Sequence, residues 1–307
     1  VEKYRPQNID DCILPTDVKN TFKGFVEQGE IPNLLLSGTA GIGKTTIAKA
    51  LCNELGVDSY VINGSDEGRF LDTVRNQAKT FAATVSLTST SRHKVLIIDE
   101  ADNTTSDVQL LLRASIEEFQ KNCRFIFTCN FKNKIIEPLH SRTTVIDFNV
   151  RGKTKQVLAA EFFERCRDIL SREKVRFNDK VVATVVQQYF PDFRRVLNEL
   201  QRYSSTGDID TGILATLGDA KIDTLVDALK NKKFNDVKKW VTQNLDSDPV
   251  SIMRKLYDNL SSVMDGPSVA AAVLIIAEYQ YKSAFVVDQE INLLACLTQL
   301  MLECNFK

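Results

Sequence analysis

The sequence predicts an α/β protein in which a parallel β-sheet, flanked by helices, is followed by a small helical domain and a second all-α domain. Three observations support this prediction. Short runs of β-forming residues alternate with helical patterns between residues 34 and 148. A glycine-rich loop separates the first strand from a helix, and beyond about residue 149 only helical periodicity remains. Such alternation indicates a parallel sheet. We expect domains at 1–149, 150–207 and 208–307.

The composition limits the classes of function. A net charge of -1 on 307 residues excludes a uniformly basic protein that coats nucleic acid, so any DNA contact must use a local patch. The longest near-apolar stretch, Val269–Ala277, is too short to span a bilayer. Seven cysteines without a C-x-x-C pair predict buried, reduced thiols rather than disulfides or a zinc site. Because the chain begins at Val1 rather than Met, a trimmed N-terminus is compatible with it.

The first elements are an N-terminal arm and a helix. Residues 1–15 are polar and precede a helix that is expected to start near Thr16 or Asp17, either of which can cap it, and to end near Gln28. The arm is placed to cross back over a bound nucleotide, although its composition alone also fits an ordinary surface segment.

The next stretch is a phosphate-binding loop. Gly38-Thr39-Ala40-Gly41-Ile42-Gly43-Lys44-Thr45 follows the apolar run Leu34–Leu36 and precedes a helix, which is the context that the pattern requires. The glycines let backbone N–H groups converge on one point at the helix N-terminus, which attracts phosphate. Lys44 can reach the β- and γ-phosphates, and the Thr45 hydroxyl can bind Mg²⁺. The loop residues assigned to the nucleotide are Gly41, Ile42, Gly43, Lys44, Thr45 and Thr46.

A second strand and a second helix follow. Tyr60–Ile62 is a short β-rich run, and the apolar spacing over Phe70–Ala83 is that of an amphipathic helix. Arg75 and Lys79 are four residues apart and therefore share one face of this helix. The ordinary interpretation of such a pair is a solvated face.

Acidic residues end the third strand. Val95–Ile98 is an apolar run typical of a strand buried on both faces, and it leads directly into Asp99 and Glu100. Ligands of open α/β sheets bind at this end. We expect Asp99 to hold Mg²⁺ and Glu100 to polarise the attacking water, whereas the alternative is that the two acids cap the next helix.

The remaining elements of the sheet region are a helix over Asp107–Phe119 and strands over Arg124–Asn130 and Thr144–Phe148. Asn130 can orient a water from its strand end, although an Asn in that position is usually a turn residue. The helical part begins with three segments: Val157–Glu173, Asp179–Tyr189 and Phe193–Tyr203.

A polar linker, Ser204–Asp208, is expected before the last hundred residues. Five further helices are predicted there, over Asp219–Leu229, Asn235–Gln243, Ser251–Val263, Ser268–Tyr281 and Asp288–Cys304. The last two are apolar on several faces, which suggests burial against another subunit or, alternatively, a simple bundle core.

Several segments together resemble a known family. They are Glu2-Lys3-Tyr4-Arg5-Pro6, Asn63-Gly64-Ser65-Asp66-Glu67, Val74-Arg75-Asn76, Ile98-Asp99-Glu100-Ala101-Asp102, Thr128-Cys129-Asn130, Ile135-Ile136-Glu137-Pro138-Leu139-His140-Ser141-Arg142 and Asp192-Phe193-Arg194-Arg195-Val196-Leu197-Asn198-Glu199-Leu200. The pattern is similar to the AAA+ ATPase subunits of sliding-clamp loaders, of the replication factor C small-subunit and T-even-phage types. It covers residues 1–205 strongly, and the last hundred residues fit only by helix content.

The resemblance implies roles in ATP hydrolysis. Glu100 is implied to be the catalytic base, Asn130 the first sensor, and Arg194 a contact of the γ-phosphate. Arg142 is implied to be an arginine finger that acts in trans on the nucleotide of the adjacent subunit. The family has a cysteine after this arginine, whereas here the residue is Thr143, and the zinc-binding cysteines of the bacterial chromosomal branch are absent.

The resemblance also implies cofactors and partners. Tyr4 and Ile13 would enclose the adenine of ATP, and Gln109 and Arg113 lie where the family couples its ATP site to DNA. Arg75 and Lys79 would contact DNA phosphates, largely without reading sequence.

ATP and Mg²⁺ are the implied cofactors. The implied partners are a sliding clamp, primer-template DNA, further copies of this chain and one different subunit, with a lid at 150–207, a collar at 208–307 and no membrane. The implied setting is soluble and intracellular, in the cytoplasm or nucleoid of a phage-infected bacterium. Three alternatives remain: another AAA+ DNA machine, such as a helicase loader or branch-migration motor, a non-hydrolysing scaffold subunit, or, less favoured, a small-molecule kinase.

Overall fold

The computed structural model describes residues 2–65, 79–83, 93–150, 152–210, 222–244, 249–283 and 285–306. The chain divides into two compact units, Val1–Leu214 and Ala215–Lys307. Each unit has its own hydrophobic core.

The first unit contains a five-stranded parallel sheet, as the sequence predicts. The strands are β1 (Leu34–Ser37), β2 (Ser59–Asn63), β3 (Lys94–Asp99), β4 (Cys123–Cys129) and β5 (Thr144–Asp147). Their order across the sheet is β2-β3-β4-β1-β5. Leu36 lies opposite Thr128 and Ile98 lies opposite Phe127, so the strands end at one common edge. This edge carries the polar residues that follow β3 and β4.

In the part of the chain that the structure describes, one α-helix precedes the sheet and four α-helices connect its strands. They are α1 (Thr16–Gln28), α2 (Lys44–Glu54), α3 (Lys79–Ala83), α4 (Ser106–Glu118) and α5 (Glu137–His140). The predicted bounds of α1 are confirmed, but the predicted cap is wrong because Pro15 occupies the cap position and no side chain caps the helix. Of the helix predicted over residues 70–83, only the last turn lies within the described residues.

The sheet has an apolar core on each face. Phe22 of α1 and Ile47 of α2 pack with Leu36 and Phe148 on one face. Leu112 of α4 packs with Phe125 and Phe127 on the other. Burial on both faces explains why β1, β3 and β4 are almost continuously apolar.

Three longer helices complete the first unit. They are α6 (Gly152–Arg172), α7 (Asp179–Tyr189) and α8 (Phe193–Thr206), and α7 packs against both of the others. The bounds of α7 are as predicted. In contrast, α6 begins five residues before the predicted Val157, because its exposed polar first turn, Gly152–Gln156, carries no apolar periodicity.

The predicted linker at Ser204–Asp208 is wrong at its start, because α8 continues through Thr206. Ser204 and Ser205 donate their hydroxyl groups to the carbonyls of Gln201 and Arg202, so both hydroxyls are satisfied within the helix. Ile209 is then buried and pairs with Phe177, which keeps it in the first unit. The three-domain division of the chain stays a prediction.

The second unit is helical. Its described helices are α9 (Ile222–Lys230), α10 (Phe234–Gln243), α11 (Pro249–Val263), α12 (Gly266–Ser283) and α13 (Gln289–Glu303). These are the five predicted helices, with ends shifted by a few residues. Trp240, Met253 and Leu297 lie in their common core. Among the described residues, no helix combines the length and apolar composition of a membrane span.

Large apolar side chains also remain on the surface of the second unit. They include Leu274, Tyr281, Phe285, Val287, Ile291 and Leu302, each at least 65% exposed. The bundle core therefore accounts for only part of the apolar character of α12 and α13. All seven cysteines of the chain are buried and unpaired, as predicted.

Candidate active site

Most of the predicted nucleotide residues line a single pocket in the first unit. The pocket lies where β1, β3 and β4 end, and the N-terminal arm, α6 and α8 complete its wall. The predicted residues that line it are Tyr4, Ile13, Gly41, Ile42, Gly43, Lys44, Thr45, Thr46, Asp99, Glu100, Asn130 and Arg194.

The glycines of the loop allow its conformation. Gly43 has a φ of 96° and caps α2, and Gly41 has a φ of 73°. A Cβ on Gly41 would lie 1.8 Å from Oδ1 of Asp192, so a side chain cannot fit there without a shift of Asp192. The backbone N–H of Phe193 donates to the Gly41 carbonyl at 3.1 Å. The start of α8 is therefore attached directly to the phosphate-binding loop.

The Lys44 ammonium group is buried beneath this loop. It donates to the carbonyls of Gly38 and Thr39 at 2.7 and 2.8 Å, and to Oδ1 of Asn130 at 2.9 Å. Burial lowers the pKa of Lys44 below its usual value, while the neighbouring Cys129 and Asp99 act in the opposite direction. The contact with Asn130 joins the loop to the end of β4.

Asp99 is surrounded by hydroxyl groups. Thr45 and Thr128 each donate to its Oδ1 at 2.6 Å. A carboxylate next to a hydroxyl at a phosphate site is a set of hard oxygen ligands, and such a set fits Mg²⁺. Thr45 and Asp99 are accordingly the residues that would hold this ion.

Glu100 occupies a left-handed backbone conformation, with φ 55° and ψ 46°. Its N–H donates to the Thr128 hydroxyl at 3.0 Å. The Glu100 carboxylate accepts a short hydrogen bond from the Ser65 hydroxyl and a longer one, of 3.2 Å, from Nδ2 of Asn103. Non-glycine residues rarely adopt this conformation outside turns and functional sites. The side chain is thus fixed at the pocket edge, where the sequence predicts a base.

The N-terminal arm is held to α6 beside the pocket. The Tyr4 hydroxyl and the Lys3 ammonium both donate to Oε1 of Glu173, at 2.6 and 2.7 Å. The bond to Glu173 raises the pKa of the Tyr4 hydroxyl. Arg165 of α6 also binds the arm, because its Nη2 donates to the Asp11 carbonyl at 2.6 Å. The arm therefore forms part of the pocket wall.

Sequence reasoning missed several of the residues that line the pocket. Phe162, Arg165 and Ile169 of α6 belong to the wall, and so does Thr128 of β4. The spacing of three and four residues along α6 places the first three on one face, and that spacing was the available signal. The sequence did not distinguish Arg165 from the many other charged residues of α6.

Arg142 lies outside this pocket. It follows α5, and its guanidinium is paired with Glu117 of α4. It lines a second cavity together with Arg124, Ser141 and Thr143. The structure therefore does not place Arg142 beside the nucleotide loop of its own chain.

The predicted coupling residues lie on α4. The Gln109 side chain is buried, donates to the Lys134 carbonyl at 3.1 Å and accepts from the Ile136 N–H at 2.8 Å. It therefore links α4 to the turn that follows Asn130. Arg113 is half-buried one turn later. Arg75 and the side chain of Lys79 lie outside the described residues.

Comparison with family models gives two matches. Residues 34–150 match the ATPase family associated with various cellular activities. Residues 154–215 match the AAA+ ATPase lid domain of the sliding-clamp-loader large subunit.

The chain is similar along its whole length to characterised proteins. It is 34% identical to the sliding-clamp-loader large subunit of Escherichia phage RB69, with 100% of this chain and 96% of the relative covered. The corresponding protein of Enterobacteria phage T4 is 35% identical, with the same coverage. The replication factor C small subunit of Saccharolobus solfataricus is 32% identical over 99% of this chain and 94% of the relative.

A solved structure with a similar fold is the Thermotoga maritima RuvB Holliday junction branch migration motor. It aligns with a TM-score of 0.55 and 20% identity, covering 84% of this chain and 88% of that chain. At this identity the likeness concerns the fold alone.

Proposed function

The chain belongs to the AAA+ family of sliding-clamp-loader ATPase subunits, and from that premise we propose that it binds ATP between subunits and hydrolyses it only in an assembled loader. ATP binding orders a spiral of subunits that opens a ring-shaped clamp. Primer-template DNA entering the spiral stimulates hydrolysis, and hydrolysis releases the clamp on DNA.

One observation carries this proposal. The pocket collects Lys44, Asp99, Glu100 and Asn130, whereas Arg142 faces a different cavity. In this proposal the cation that completes the site is Arg142 of a second copy. An arginine finger typically contributes about 10³- to 10⁵-fold to the rate of phosphoryl transfer. Hydrolysis should accordingly depend on assembly.

We assign the remaining roles from the same pocket. Lys44 binds the β- and γ-phosphates, and Thr45 and Asp99 hold Mg²⁺, which when bound neutralises charge on the phosphates. Glu100 takes the proton of the attacking water, and Asn130 orients that water.

Two further groups complete the nucleotide contacts. Arg194, the second residue of α8, contacts the γ-phosphate, and Tyr4 and Ile13 enclose the adenine. Support for these assignments is that all three residues line the pocket, on the sides formed by α8 and the arm.

The proposed DNA contacts lie at the first residue of α3 and in the segment before it, and α4 carries the residues that couple them to the ATP site. Arg75 and Lys79 contact DNA phosphates, and Gln109 and Arg113 pass the effect of DNA to the ATP site. The bonds from Gln109 to the turn at Lys134 and Ile136 support this, because that turn follows Asn130 directly. Replacing both Arg75 and Lys79 with Ala should reduce the slope of log affinity for DNA against log salt concentration. The reduction should correspond to the loss of about two phosphate contacts.

Assembly uses the second unit in this proposal. Residues 208–307 form a collar that joins several copies of this chain and one different subunit. The apolar side chains exposed on α12 and α13 support such an interface, because patches of this kind mark association sites. We place the complex in the cytoplasm or nucleoid of an infected bacterium, because two of its relatives are phage proteins.

The decisive experiment measures ATP hydrolysis by the assembled complex with clamp and primed DNA, added separately and together. The wild type should reach its full rate only with both. Lys44→Ala should lose ATP binding, whereas Arg142→Ala should bind ATP and hydrolyse it at least 10²-fold more slowly. Arg124→Ala is the matched control, because Arg124 lines the same cavity as Arg142 and is also paired with a glutamate.

Two results would contradict the proposal. A monomer that hydrolyses ATP at full rate regardless of concentration would remove the need for a second copy. Equal loss of ATP binding in Lys44→Ala and Arg142→Ala would remove the finger assignment.

The alternatives are separated by two simple measurements. A pull-down in the presence of ATP that recovers the sliding clamp together with the complex distinguishes a clamp loader from a helicase loader or branch-migration motor. A non-hydrolysing scaffold is excluded if steady hydrolysis disappears in Glu100→Gln, which keeps the size of the side chain and its hydrogen-bond acceptor.

A further inference from the structure

Asp102 is a buried carboxylate next to the catalytic residues to which the reaction above gives no role. It lies in the turn Ala101–Asn103, two residues after Glu100, and is only 5% exposed. Its Oδ2 accepts the backbone N–H groups of Asn130 and Phe131, at 3.1 and 3.0 Å. A carboxylate that accepts two N–H groups makes charge-assisted bonds, which are shorter and stronger than neutral ones.

These two hydrogen bonds hold the backbone from which the Asn130 side chain extends. β4 ends at Cys129, so the two N–H groups belong to the first residues that have left the sheet. The Oδ1 of Asn130 accepts from Lys44 at 2.9 Å. Because the amide is planar, its Nδ2 hydrogens project from the other end of the group. Asp102 and Lys44 thus determine where that amide lies in the pocket.

The second oxygen of Asp102 argues against a purely structural cap. Oδ1 is buried and has no hydrogen-bond partner among the residues that the structure describes. An unpaired buried polar atom destabilises the fold, so a neutral cap would serve the fold better. Retention of a charged group at such a cost is typical of sites where position matters for function.

We propose that Asp102 is a positioning residue for ATP hydrolysis, which holds the backbone of Asn130 and thereby aims the Asn130 amide at the nucleotide. The inference rests on the proposed function, in which Asn130 orients the attacking water. A shift of about 1 Å in a positioning group can cost about 10²-fold in rate. Asp102→Ala should therefore lower kcat by about 10- to 100-fold and leave the affinity for ATP within about twofold.

The test is a double-mutant cycle in the assembled complex. Asp102→Ala, Asn130→Ala and the double variant are compared for kcat and for ATP affinity, with Asp107→Ala, an exposed acid of α4, as the control. If Asp102 acts through Asn130, the double variant should be no slower than Asn130→Ala alone, within about twofold. Asp102→Asn, which keeps an oxygen acceptor, should recover part of the rate.

Several outcomes overturn the inference. Independent losses that multiply in the double variant would show that Asp102 acts by another route. A rise in the dissociation constant for ATP that matches the fall in rate would show a general loss of the pocket. If Asp102→Ala does not fold, the cycle is run with Asp102→Asn. A wild-type rate in Asp102→Asn also contradicts the inference if the N–H groups of Asn130 and Phe131 no longer bond to residue 102 in that variant.

Failure of the proposed function has a different signature. A wild-type complex that does not hydrolyse ATP, or an Asn130→Ala variant of normal rate, contradicts the role of the site itself. An active wild type with an impaired Asn130→Ala and a multiplicative double variant contradicts only the role of Asp102.

Discussion

The guanidinium of Arg142 is held by the carboxylate of Glu117. Both Nε and Nη2 of Arg142 donate to Oε1 of Glu117, at 2.8 and 2.5 Å. Nη1 donates to the Pro138 carbonyl at 3.0 Å. The hydrogen bond from Arg142 lowers the pKa of Glu117 below its usual value. The proposed finger is therefore anchored to α4, the helix that also carries Gln109.

We predict that Glu117→Ala slows hydrolysis in the assembled complex by about three- to tenfold, because Arg142 loses its fixed orientation. This loss is smaller than that of Arg142→Ala. The thermal stability of the free chain should hardly change, because exposed ion pairs contribute little. Glu30→Ala, which removes the partner of Arg124, is the control. A faster rate in Glu117→Ala would show instead that the carboxylate competes with the nucleotide for the finger.

A second prediction concerns the pH dependence of ATP binding. Burial lowers the pKa of Lys44, so its ammonium loses a proton at a lower pH than an exposed lysine does. Phosphate binding requires the charged form, so ATP affinity should fall as the pH rises through this lowered pKa. Titration calorimetry from about pH 7 to about pH 10 measures the effect. An ATP affinity that stays constant up to about pH 10 would contradict the prediction.

The buried thiols predict alkaline destabilisation. Burial raises the pKa of Cys12, Cys52, Cys123, Cys166 and Cys296 to about 12, from 9.0. Above about pH 9 the unfolded chain therefore loses thiol protons that the folded chain keeps, and the free energy of unfolding falls as pH rises. Urea unfolding at several alkaline pH values tests this. Replacing Cys166 with Ala or Val should reduce the slope, and an unchanged slope would count against the argument.

The last prediction concerns the N-terminal arm. Glu173→Ala removes the common acceptor of Lys3 and Tyr4, so the arm should leave the pocket more readily. We expect ATP affinity to fall by about two- to fivefold, mainly through faster dissociation. Stopped-flow release of a fluorescent ATP analogue measures the rate. Glu164→Ala is the control, because Glu164 lies on α6, which ends one residue before Glu173, but pairs with Arg167. Equal release rates in both variants would contradict a role of the arm.

The sequence predicted the features that have a local signal. The end of β3 at Asp99 and the end of β4 at Cys129, one residue before the predicted Asn130, follow from apolar runs. The loop at Lys44 follows from its glycine spacing. The predicted start of α6 and the predicted end of α8 were wrong, because the polar residues at those positions carry no apolar periodicity. The pairings of Arg142 with Glu117 and of Arg165 with the Asp11 carbonyl join residues far apart in the chain. No local pattern specifies such a partner.

The contact between Gly41 and Asp192 has a consequence for genetics. An alanine at position 41 would meet the Asp192 carboxylate in addition to the strain of a positive φ. Intragenic revertants of Gly41→Ala should then include second-site changes that shorten residue 192, such as Asp192→Gly. Suppressors would thus arise about 150 residues away, at the start of another helix. The codons tolerated in the loop depend on the residue that caps α8.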